Sequence, residues 1–164
     1  MKAKDVMKTD VVTVKTGATL GEVAALFQEK GINGAPVVDD AGKVVGIVSE
    51  HDMIRKSREL RIIGLVDTLG WVSPHTSAEK IAKFAQGLCS VRDLTVDEVM
   101  TRNVISVSEE TSLEDVAKIM ARRRINRVPV MKQGQLLGLI TRTDLVWAMV
   151  NLCEVNPGIF DREV

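Results

Sequence analysis

The chain carries one sequence pattern twice, and this internal repeat constrains its fold more than any other feature. At an offset of 93 positions the matching pairs are Val6-Met7 with Val99-Met100, Val11 with Val104, Val14 with Val107, Leu20 with Leu113, Ile32-Asn33 with Ile125-Asn126, and Pro36-Val37 with Pro129-Val130. After a one-residue deletion, Gly42, Gly46 and Asp52 match Gly134, Gly138 and Asp144. A repeat of this length indicates two copies of one supersecondary unit, each too small to bury its own apolar faces.

The repeat divides the 164 residues into four parts. We predict a first repeat at residues 2–57, a helical insertion at 58–94, a second repeat at 95–150 and a C-terminal tail at 151–164. Packing the two repeats together would bury their exposed sheet faces, so we expect a pseudo-two-fold arrangement with two related clefts.

Each repeat has the pattern of a β-α-β-β-α unit. In the first repeat the run from Val11 to Val14 favours a strand, and Thr19-x-x-Glu22 is a capping box that opens a helix with apolar residues at helical spacing. Ser112-x-x-Asp115 is its weaker equivalent in the second repeat. Gly31 suits the left-handed position that ends a helix, whereas Arg124 takes that place in the second repeat. We therefore expect the two helix ends to differ.

A hairpin and a second helix complete each repeat. The apolar runs that predict the hairpin strands are 35–38 and 44–48 in the first repeat, and 128–131 and 136–140 in the second. The final helix is predicted to begin near Ser49 or Thr141. The predicted fold class is therefore α+β, with a small sheet covered by helices on one side.

Composition and charge argue against several functions. The 22 basic and 22 acidic side chains cancel, which disfavours broad binding to nucleic acid or to anionic membranes. The apolar runs are too short to span a bilayer, and the N-terminus lacks a secretory signal, so we expect a cytoplasmic protein.

Catalytic and metal-binding motifs are not recognisable in this sequence. The residues His51, His75, Cys89 and Cys153 lack the spacing of zinc ligands, and we predict that both cysteines are ordinary small buried side chains. The chain has neither a glycine-rich phosphate loop of the GxxxxGK[S/T] type nor a nucleophile motif. We predict that it is not an enzyme and binds no metal.

The most specific pattern lies in the second half of each repeat. It reads Ile-Asn-x-x-Pro-Val and then Gly-x-x-Ser/Thr-x-x-Asp, from Ile32 to Asp52 and again from Ile125 to Asp144. Two such copies, each preceded by a Val-Met pair, resemble the tandem CBS domain, which is named after cystathionine β-synthase and forms so-called Bateman modules. The resemblance does not extend to the insertion or to the tail.

The resemblance implies a regulatory module that binds AMP, ADP, ATP or S-adenosylmethionine, and it also implies a homodimer. In this family the Ser or Thr contacts phosphate and the Asp holds the ribose hydroxyls. These roles fall here on Ser49 and Asp52, and on Thr141 and Asp144. The residues predicted to hold the base are Ile32, Asn33, Gly34, Pro36 and Val14 in the first repeat, and Ile125, Asn126, Arg127, Pro129 and Val107 in the second.

The physical chemistry of these positions supports two interpretations. A hydroxyl at a helix N-terminus, where the helix dipole favours an anion, and a carboxylate one turn further on would suit a sugar phosphate. The spacing of Ser49-x-x-Asp52 and of Thr141-x-x-Asp144 fits reciprocal helix caps without a ligand equally well.

The two predicted sites differ in charge. Glu50 follows Ser49 and would repel a phosphate, whereas Arg142 and Arg127 would attract one in the second repeat. We therefore predict that the Thr141/Asp144 site is the better one for a phosphorylated ligand.

The insertion has helical features but no assignable chemistry. Helical patterns cover residues 58–71 and 77–88, which include the aromatic residues Trp71 and Phe84. A lid on its own repeats and a surface for a partner or dimer are both open. We predict that Trp147, on the last helix, belongs to the core.

Three functions therefore compete. The leading hypothesis is a freestanding sensor of an adenine nucleotide that signals to a partner by conformational change. The second is a ligand-independent dimerisation or interaction module. Nucleic-acid binding through the arginines at 122–127 is the third, and the zero net charge disfavours it.

Overall fold

The computed structural model describes residues 1–59 and 89–155. The regular elements, in chain order, are a 3₁₀ turn at Ala3–Asp5, β1 at Val14–Lys15, α1 at Leu20–Lys30, β2 at Gly34–Val38, β3 at Val44–Ser49, α2 at Glu50–Glu59, a 3₁₀ turn at Val96–Glu98, α3 at Leu113–Arg123, β4 at Arg127–Lys132, β5 at Gln135–Thr141 and α4 at Arg142–Val155. Residues 89–92 are also helical. The predicted α+β class is confirmed.

Packing divides the chain at other positions than the sequence repeat does. One compact unit, here called unit 1, contains Met1–Val11 and Ile105–Val164, of which residues 105–155 are described. The other, unit 2, contains Val12–Val104. Each unit therefore combines the body of one repeat with the leading segment of the other, and we call residues 1–11 and 95–104 the leading segments.

Unit 2 is built on a three-stranded sheet in the order β1-β2-β3. Strand β1 runs parallel to β2, with Val14 opposite Val37, and β2 pairs antiparallel with β3, with Pro36 opposite Ile47. The buried side chains of the core are Val14, Val23, Phe27, Ala35, Val37, Val48, Val96 and Met100. The last two belong to the second leading segment, so this segment completes the core of unit 2.

Unit 1 repeats this arrangement with a shorter first strand. Strands β4 and β5 pair antiparallel, with Pro129 opposite Leu139, while Val107 makes a single parallel bridge to Val130 in place of a full strand. The core consists of Ala3, Val107, Leu113, Val116, Met120, Val128, Val130, Ile140, Leu145 and Ala148. Ala3 comes from the first leading segment and is fully buried.

Each leading segment is attached to a strand by the same pair of backbone hydrogen bonds. In unit 1 the N–H of Lys8 donates to the carbonyl of Leu139 at 3.0 Å, and the N–H of Leu139 donates to the carbonyl of Lys8 at 2.9 Å. In unit 2, Thr101 and Ile47 exchange equivalent bonds of 2.8 and 3.0 Å. Since Lys8 and Thr101 are equivalent positions of the repeat, the exchange of leading segments is reciprocal.

The helix termini show which local predictions hold. The Thr19 hydroxyl accepts from the Glu22 N–H at 3.2 Å, and the Glu22 carboxylate accepts from the Thr19 N–H at 2.7 Å, which confirms the capping box. The prediction that the helix ends differ is wrong. Arg124 adopts φ 53° and ends α3 just as Gly31, at φ 61°, ends α1. The αL residue closes the helix through its own N–H, which a non-glycine residue can do at a cost in strain.

Two predictions about burial are wrong. The Trp147 side chain is 64% exposed because α4 turns Leu145 and Ala148, rather than Trp147, towards the core. Cys89 is exposed as well. Of the predicted helices of the insertion, only residues 58 and 59 are described, at the end of α2. Trp71, His75 and Phe84 lie outside the described residues, as does the side chain of Cys153. Among the helices that the structure describes, none combines the length and apolarity needed to cross a bilayer.

Candidate nucleotide-binding sites

A hydroxyl and a carboxylate meet where a strand passes into a helix, once in each unit. In unit 1, Thr141 ends β5 and Asp144 lies in the first turn of α4, and the Thr141 hydroxyl donates to Asp144 Oδ2 at 2.6 Å. In unit 2, Ser49 ends β3 and donates to Asp52 Oδ2 at 2.5 Å. The four predicted polar residues thus form two equivalent pairs, which the structure keeps in separate units.

Both pairs are helix caps. The Thr141 N–H donates to Asp144 Oδ2 at 2.8 Å, and the Asp144 N–H lies 3.4 Å from the Thr141 hydroxyl. The corresponding distances in unit 2 are 3.0 and 3.4 Å. Capping accounts for one oxygen of each carboxylate, Oδ2, and leaves the chemistry of Oδ1 to be explained.

The two units also share a hydrogen bond at the first N–H group of the helix. The N–H of Arg142 donates to the carbonyl of Asn126, and the N–H of Glu50 donates to the carbonyl of Asn33, each at 3.1 Å. With the caps, these bonds occupy several of the first-turn donors. Fewer backbone N–H groups are therefore free to bind an anion at this helix N-terminus than the sequence pattern suggested. Binding of an anion there depends correspondingly more on positively charged side chains.

Oδ1 of each carboxylate contacts a cation that the sequence argument did not identify. The Lys8 ammonium lies 3.3 Å from Asp144 Oδ1, and Arg55 Nη2 lies 3.3 Å from Asp52 Oδ1. The carboxylate side chains are mostly buried, with 10% of Asp144 and 13% of Asp52 exposed. The signal for Arg55 was its position three residues after Asp52, one helical turn away. The sequence contains no local signal for Lys8, which reaches Asp144 across 136 positions of chain.

The pKa of Asp144 reflects these contacts. Burial alone raises it, but the hydrogen bonds from the Thr141 hydroxyl and N–H, together with the Lys8 ammonium, outweigh burial and bring the pKa below its ordinary value. The carboxylate is therefore ionised at neutral pH and able to accept hydrogen bonds from hydroxyl groups.

The residues predicted to hold the base differ in accessibility. Pro36, Pro129 and Gly34 are buried, and the side chains of Val14 and Val107 pack in the two cores. Ile32 and Ile125 are half-buried, while Asn33 and Asn126 are exposed. The Ile-Asn pair is therefore the most accessible part of each motif, and the buried residues that follow it belong to β2 or β4.

The residue that follows the Ser or Thr has the opposite charge in the two sites. Arg142 is exposed and Arg127 half-buried in unit 1, whereas the equivalent positions of unit 2 carry the exposed Glu50 and the buried Gly34. An anion approaching the Thr141 hydroxyl thus meets cations, and one approaching Ser49 meets a carboxylate.

A cleft of about 210 Å³ borders the carboxylate in unit 1. Its lining residues are Met1, Asp5, Val6, Asp144, Trp147, Ala148 and Asn151. It lies between the first leading segment and one face of α4, and both Asp144 and the exposed Trp147 border it. Within residues 1–59 and 89–155, no group of three or more metal-ligating side chains comes together.

Comparison with known proteins identifies the repeated unit. The CBS domain profile matches residues 3–59 and 96–151. An uncharacterised protein of Methanocaldococcus jannaschii is 35% identical over 92% of this chain and 92% of its own length. The chain spans 41%, 61% and 38% of three other curated relatives, which are longer.

Solved structures of similar proteins contain adenosine compounds. The structure of CBSX2 in complex with AMP is 27% identical, with a TM-score of 0.66 over 92% of this chain and 97% of that one. A CBS domain pair of protein MJ0100, in complex with 5′-methylthioadenosine and S-adenosyl-L-methionine, is 25% identical, with a TM-score of 0.64 over 91% of this chain and 99% of that one. The profile matches, the relative and the fold agree, and this chain therefore belongs to the CBS-domain family, with two CBS domains in tandem.

Proposed function

We propose that this chain is a non-catalytic regulatory module of the cytoplasm that binds an adenine nucleotide or a related adenosyl compound and signals its presence to a partner protein. The observation that carries this proposal is Oδ1 of Asp144 and of Asp52. Helix capping uses only Oδ2, yet both units hold a second carboxylate oxygen beside a partly exposed cation. Structural capping alone does not require that oxygen.

The ligand's ribose is assigned to the carboxylates. Two vicinal hydroxyls donate to one carboxylate, with Oδ1 the more available oxygen. A phosphate at the Thr141 hydroxyl would benefit from the dipole of α4 and from Arg142. The base would lie against the backbone around Ile125–Pro129 in unit 1 or Ile32–Pro36 in unit 2. The ligand classes are AMP, ADP, ATP and S-adenosylmethionine.

The relatives support this assignment. Complexes of CBSX2 with AMP and of MJ0100 with two adenosyl compounds share the fold and the tandem domains of this chain. An adenosine group is common to all three ligands. We infer that the adenosine portion is the shared determinant and that the charge of the 5′ substituent distinguishes the sites, with phosphorylated ligands preferring Thr141/Asp144.

The first experiment is isothermal titration of the wild type and three Asp→Ala variants with AMP, ADP, ATP and S-adenosylmethionine. Asp144→Ala should reduce AMP affinity by about tenfold or more, since it removes a charge-assisted hydrogen bond. Asp52→Ala should affect AMP less. Asp115→Ala is the matched control, because Asp115 accepts from the Ser112 hydroxyl at 2.7 Å in the same kind of cap on α3.

The three variants separate binding from folding. Each loses a helix cap, so each should lower the melting temperature by a similar amount. Only Asp144→Ala should also lower AMP affinity strongly. Equal affinities in Asp144→Ala and Asp115→Ala would contradict the assignment, and a greater loss from Asp52→Ala would reverse the order of the two sites.

The second candidate is an interaction module that works without ligand. Exposed apolar residues on α4 favour it, namely Val146, Trp147, Met149 and Val150. Such a surface is typical of a contact with another chain, and a second copy of this chain is the partner that the CBS family suggests. A thermal-shift screen in which no adenosine compound raises the melting temperature, together with a dimer in solution, would favour this candidate over the sensor.

A further inference from the structure

The two carboxylates obtain their cation from different parts of the chain. In unit 1 the cation is Lys8, which belongs to a leading segment paired with β5. In unit 2 it is Arg55, which lies one turn further along the same helix as Asp52. The equivalent of Lys8 in unit 2 is Thr101, and the equivalent of Arg55 in unit 1 is Trp147. The cation beside the carboxylate therefore comes from a leading segment in unit 1 and from the same helix as the carboxylate in unit 2.

The backbone of Lys8 is held in register with the site. Two hydrogen bonds join Lys8 to Leu139, two residues before Thr141 on β5. Residues two apart on a strand lie on the same face of the sheet, so Leu139 and Thr141 share a face. The segment that contains Lys8 therefore pairs with β5 close to Thr141. Asp144 bridges the Lys8 ammonium and that hydroxyl, because its Oδ1 contacts the former and its Oδ2 the latter.

The Lys8 side chain nevertheless remains accessible. It is 70% exposed, whereas the carboxylate that it contacts is 10% exposed. An ion pair with so exposed a lysine contributes little to stability. Its long, flexible side chain can therefore move from Asp144 to a neighbouring anion at little cost.

Arg55 is placed less well for that task. It lies five residues after the first residue of α2, about 7.5 Å along the helix axis, and Glu50 is exposed at that start. A phosphate at Ser49 would face Glu50 before it reached Arg55. In unit 1 the equivalent of Glu50 is the exposed Arg142, so the residue that follows the hydroxyl is a cation rather than a carboxylate, and Lys8 adds a second cation at Asp144.

We propose that Lys8, which belongs to the other repeat in sequence, selects phosphorylated ligands at the Thr141/Asp144 site. The inference rests on the proposed function. Lys8 pairs with Asp144 in the free protein and transfers to the ligand's 5′ phosphate when the ribose hydroxyls take its place on Oδ1. Thr101 cannot do this in unit 2, so that site discriminates less between a nucleoside and its phosphate.

The test compares AMP with adenosine, since these two ligands differ only in the phosphate. Both are titrated into the Asp52→Ala background, which leaves the unit 1 site, with and without Lys8→Thr. Lys8→Thr should weaken AMP binding by about tenfold, the effect of losing one charge-assisted contact. Adenosine affinity should stay within about twofold or increase, because Oδ1 is then unpaired.

Further variants separate selection from structure. Lys8→Arg should retain the preference for AMP, and Lys118→Thr, which removes an exposed lysine paired with Glu114 on α3, should leave both affinities unchanged. In the Asp144→Ala background, Thr101→Lys should increase the preference of unit 2 for AMP over adenosine.

Two results would contradict the inference. If Lys8→Thr weakened AMP and adenosine by the same factor, Lys8 would only position the leading segment. If it changed neither, the lysine would have no role in the site. A wild type that bound neither AMP nor adenosine would also overturn the inference, and one that in addition bound none of ADP, ATP and S-adenosylmethionine would overturn the proposed function.

Discussion

Asp52 and Asp144 show how one residue can serve both folding and recognition. The short Asp side chain caps its helix with Oδ2, and the second oxygen remains on the solvent side beside a cation. A sequence argument cannot choose between capping and ligand binding at this spacing, because both use the same residue types three positions apart. In the structure the cap uses Oδ2 and the cation contacts Oδ1, so capping does not exclude the proposed role in ligand binding.

Arg124 shows that position in the fold can override residue preference. Its backbone adopts the left-handed conformation at φ 53°, and its N–H donates to the carbonyls of Ala121 and Met120, as Gly31 does in α1. A side chain with a Cβ is strained by about 1–2 kcal/mol in this region. The helix end is thus dictated by the packing of α3 and β4, with arginine accommodated at a cost.

Arg124→Gly is expected to stabilise the protein by about 1 kcal/mol, because the strain is removed and only part of the gain is lost to the greater flexibility of the unfolded chain. Urea denaturation of the wild type and the variant would measure it. Gly31→Ala is the reciprocal substitution and should destabilise by a similar amount. An Arg124→Gly variant that is less stable than the wild type would show that the arginine side chain makes a compensating contact.

At the scale of the elements, the attachment of the leading segments is the main finding. A short stretch pairs with the β5 edge in unit 1 and with the β3 edge in unit 2, and it brings Ala3, or Val96 and Met100, into the core. A glycine lies at each point of contact. A Cβ on Gly138 would come within 2.8 Å of the Lys8 carbonyl oxygen, and one on Gly46 would come within 2.9 Å of Met100 Cγ. These glycines are present in the repeat because a backbone or methionine passes over them.

Gly138→Ala is expected to destabilise the protein by about 1–3 kcal/mol, since the added methyl group would displace a backbone carbonyl. The midpoint of urea denaturation measures this. Gly21→Ala is the matched control. Its Cβ would approach the Arg92 side chain to 2.7 Å, but that side chain is exposed and can move, and alanine favours the helix.

The two glycine variants should therefore have opposite signs. Gly21→Ala should leave stability unchanged or increase it by up to about 1 kcal/mol. Gly138→Ala should also weaken AMP binding, because Lys8 would move with the leading segment. Equal stability of the two variants would mean that the first leading segment can move away from position 138 at Lys8 without loss of stability.

At the scale of the whole molecule, an apolar face on α4 remains uncovered among the described residues. Val146, Met149 and Val150 recur at the spacing of one helical stripe, and each is about half exposed. Trp147 lies beside them and borders the cleft next to Asp144. A partner that covers this stripe would contact the same helix that carries the ligand carboxylate, which offers a physical route from binding to signalling.

Sedimentation velocity should detect a dimer whose stability depends on this stripe. Lys substitutions at Val146 and Val150 together are expected to convert it to a monomer, because two charges cannot be buried in an apolar contact without a large penalty. Asn151→Lys, on the same helix but outside the stripe, should leave the dimer intact. A double variant that still dimerises would place the contact elsewhere on the molecule.

The sequence by itself determined the tandem units, the capping boxes, the hairpins and the positions of Ser49, Asp52, Thr141 and Asp144. These features depend on interactions between residues three or four apart, or on turn preferences, and so they leave a local trace in the residue order. The resemblance to the CBS family rested on the same local order.

Only the tertiary structure decided which segments pack together. The exchange of leading segments, the Lys8 ammonium beside Asp144 and the exposure of Trp147 depend on contacts between residues far apart in the chain. Such contacts leave no periodic trace, since each repeat reads the same whether its leading segment packs on its own body or on the other one. The physical reason is that packing selects among locally equivalent partners by shape and by close backbone approach, at positions such as Gly138.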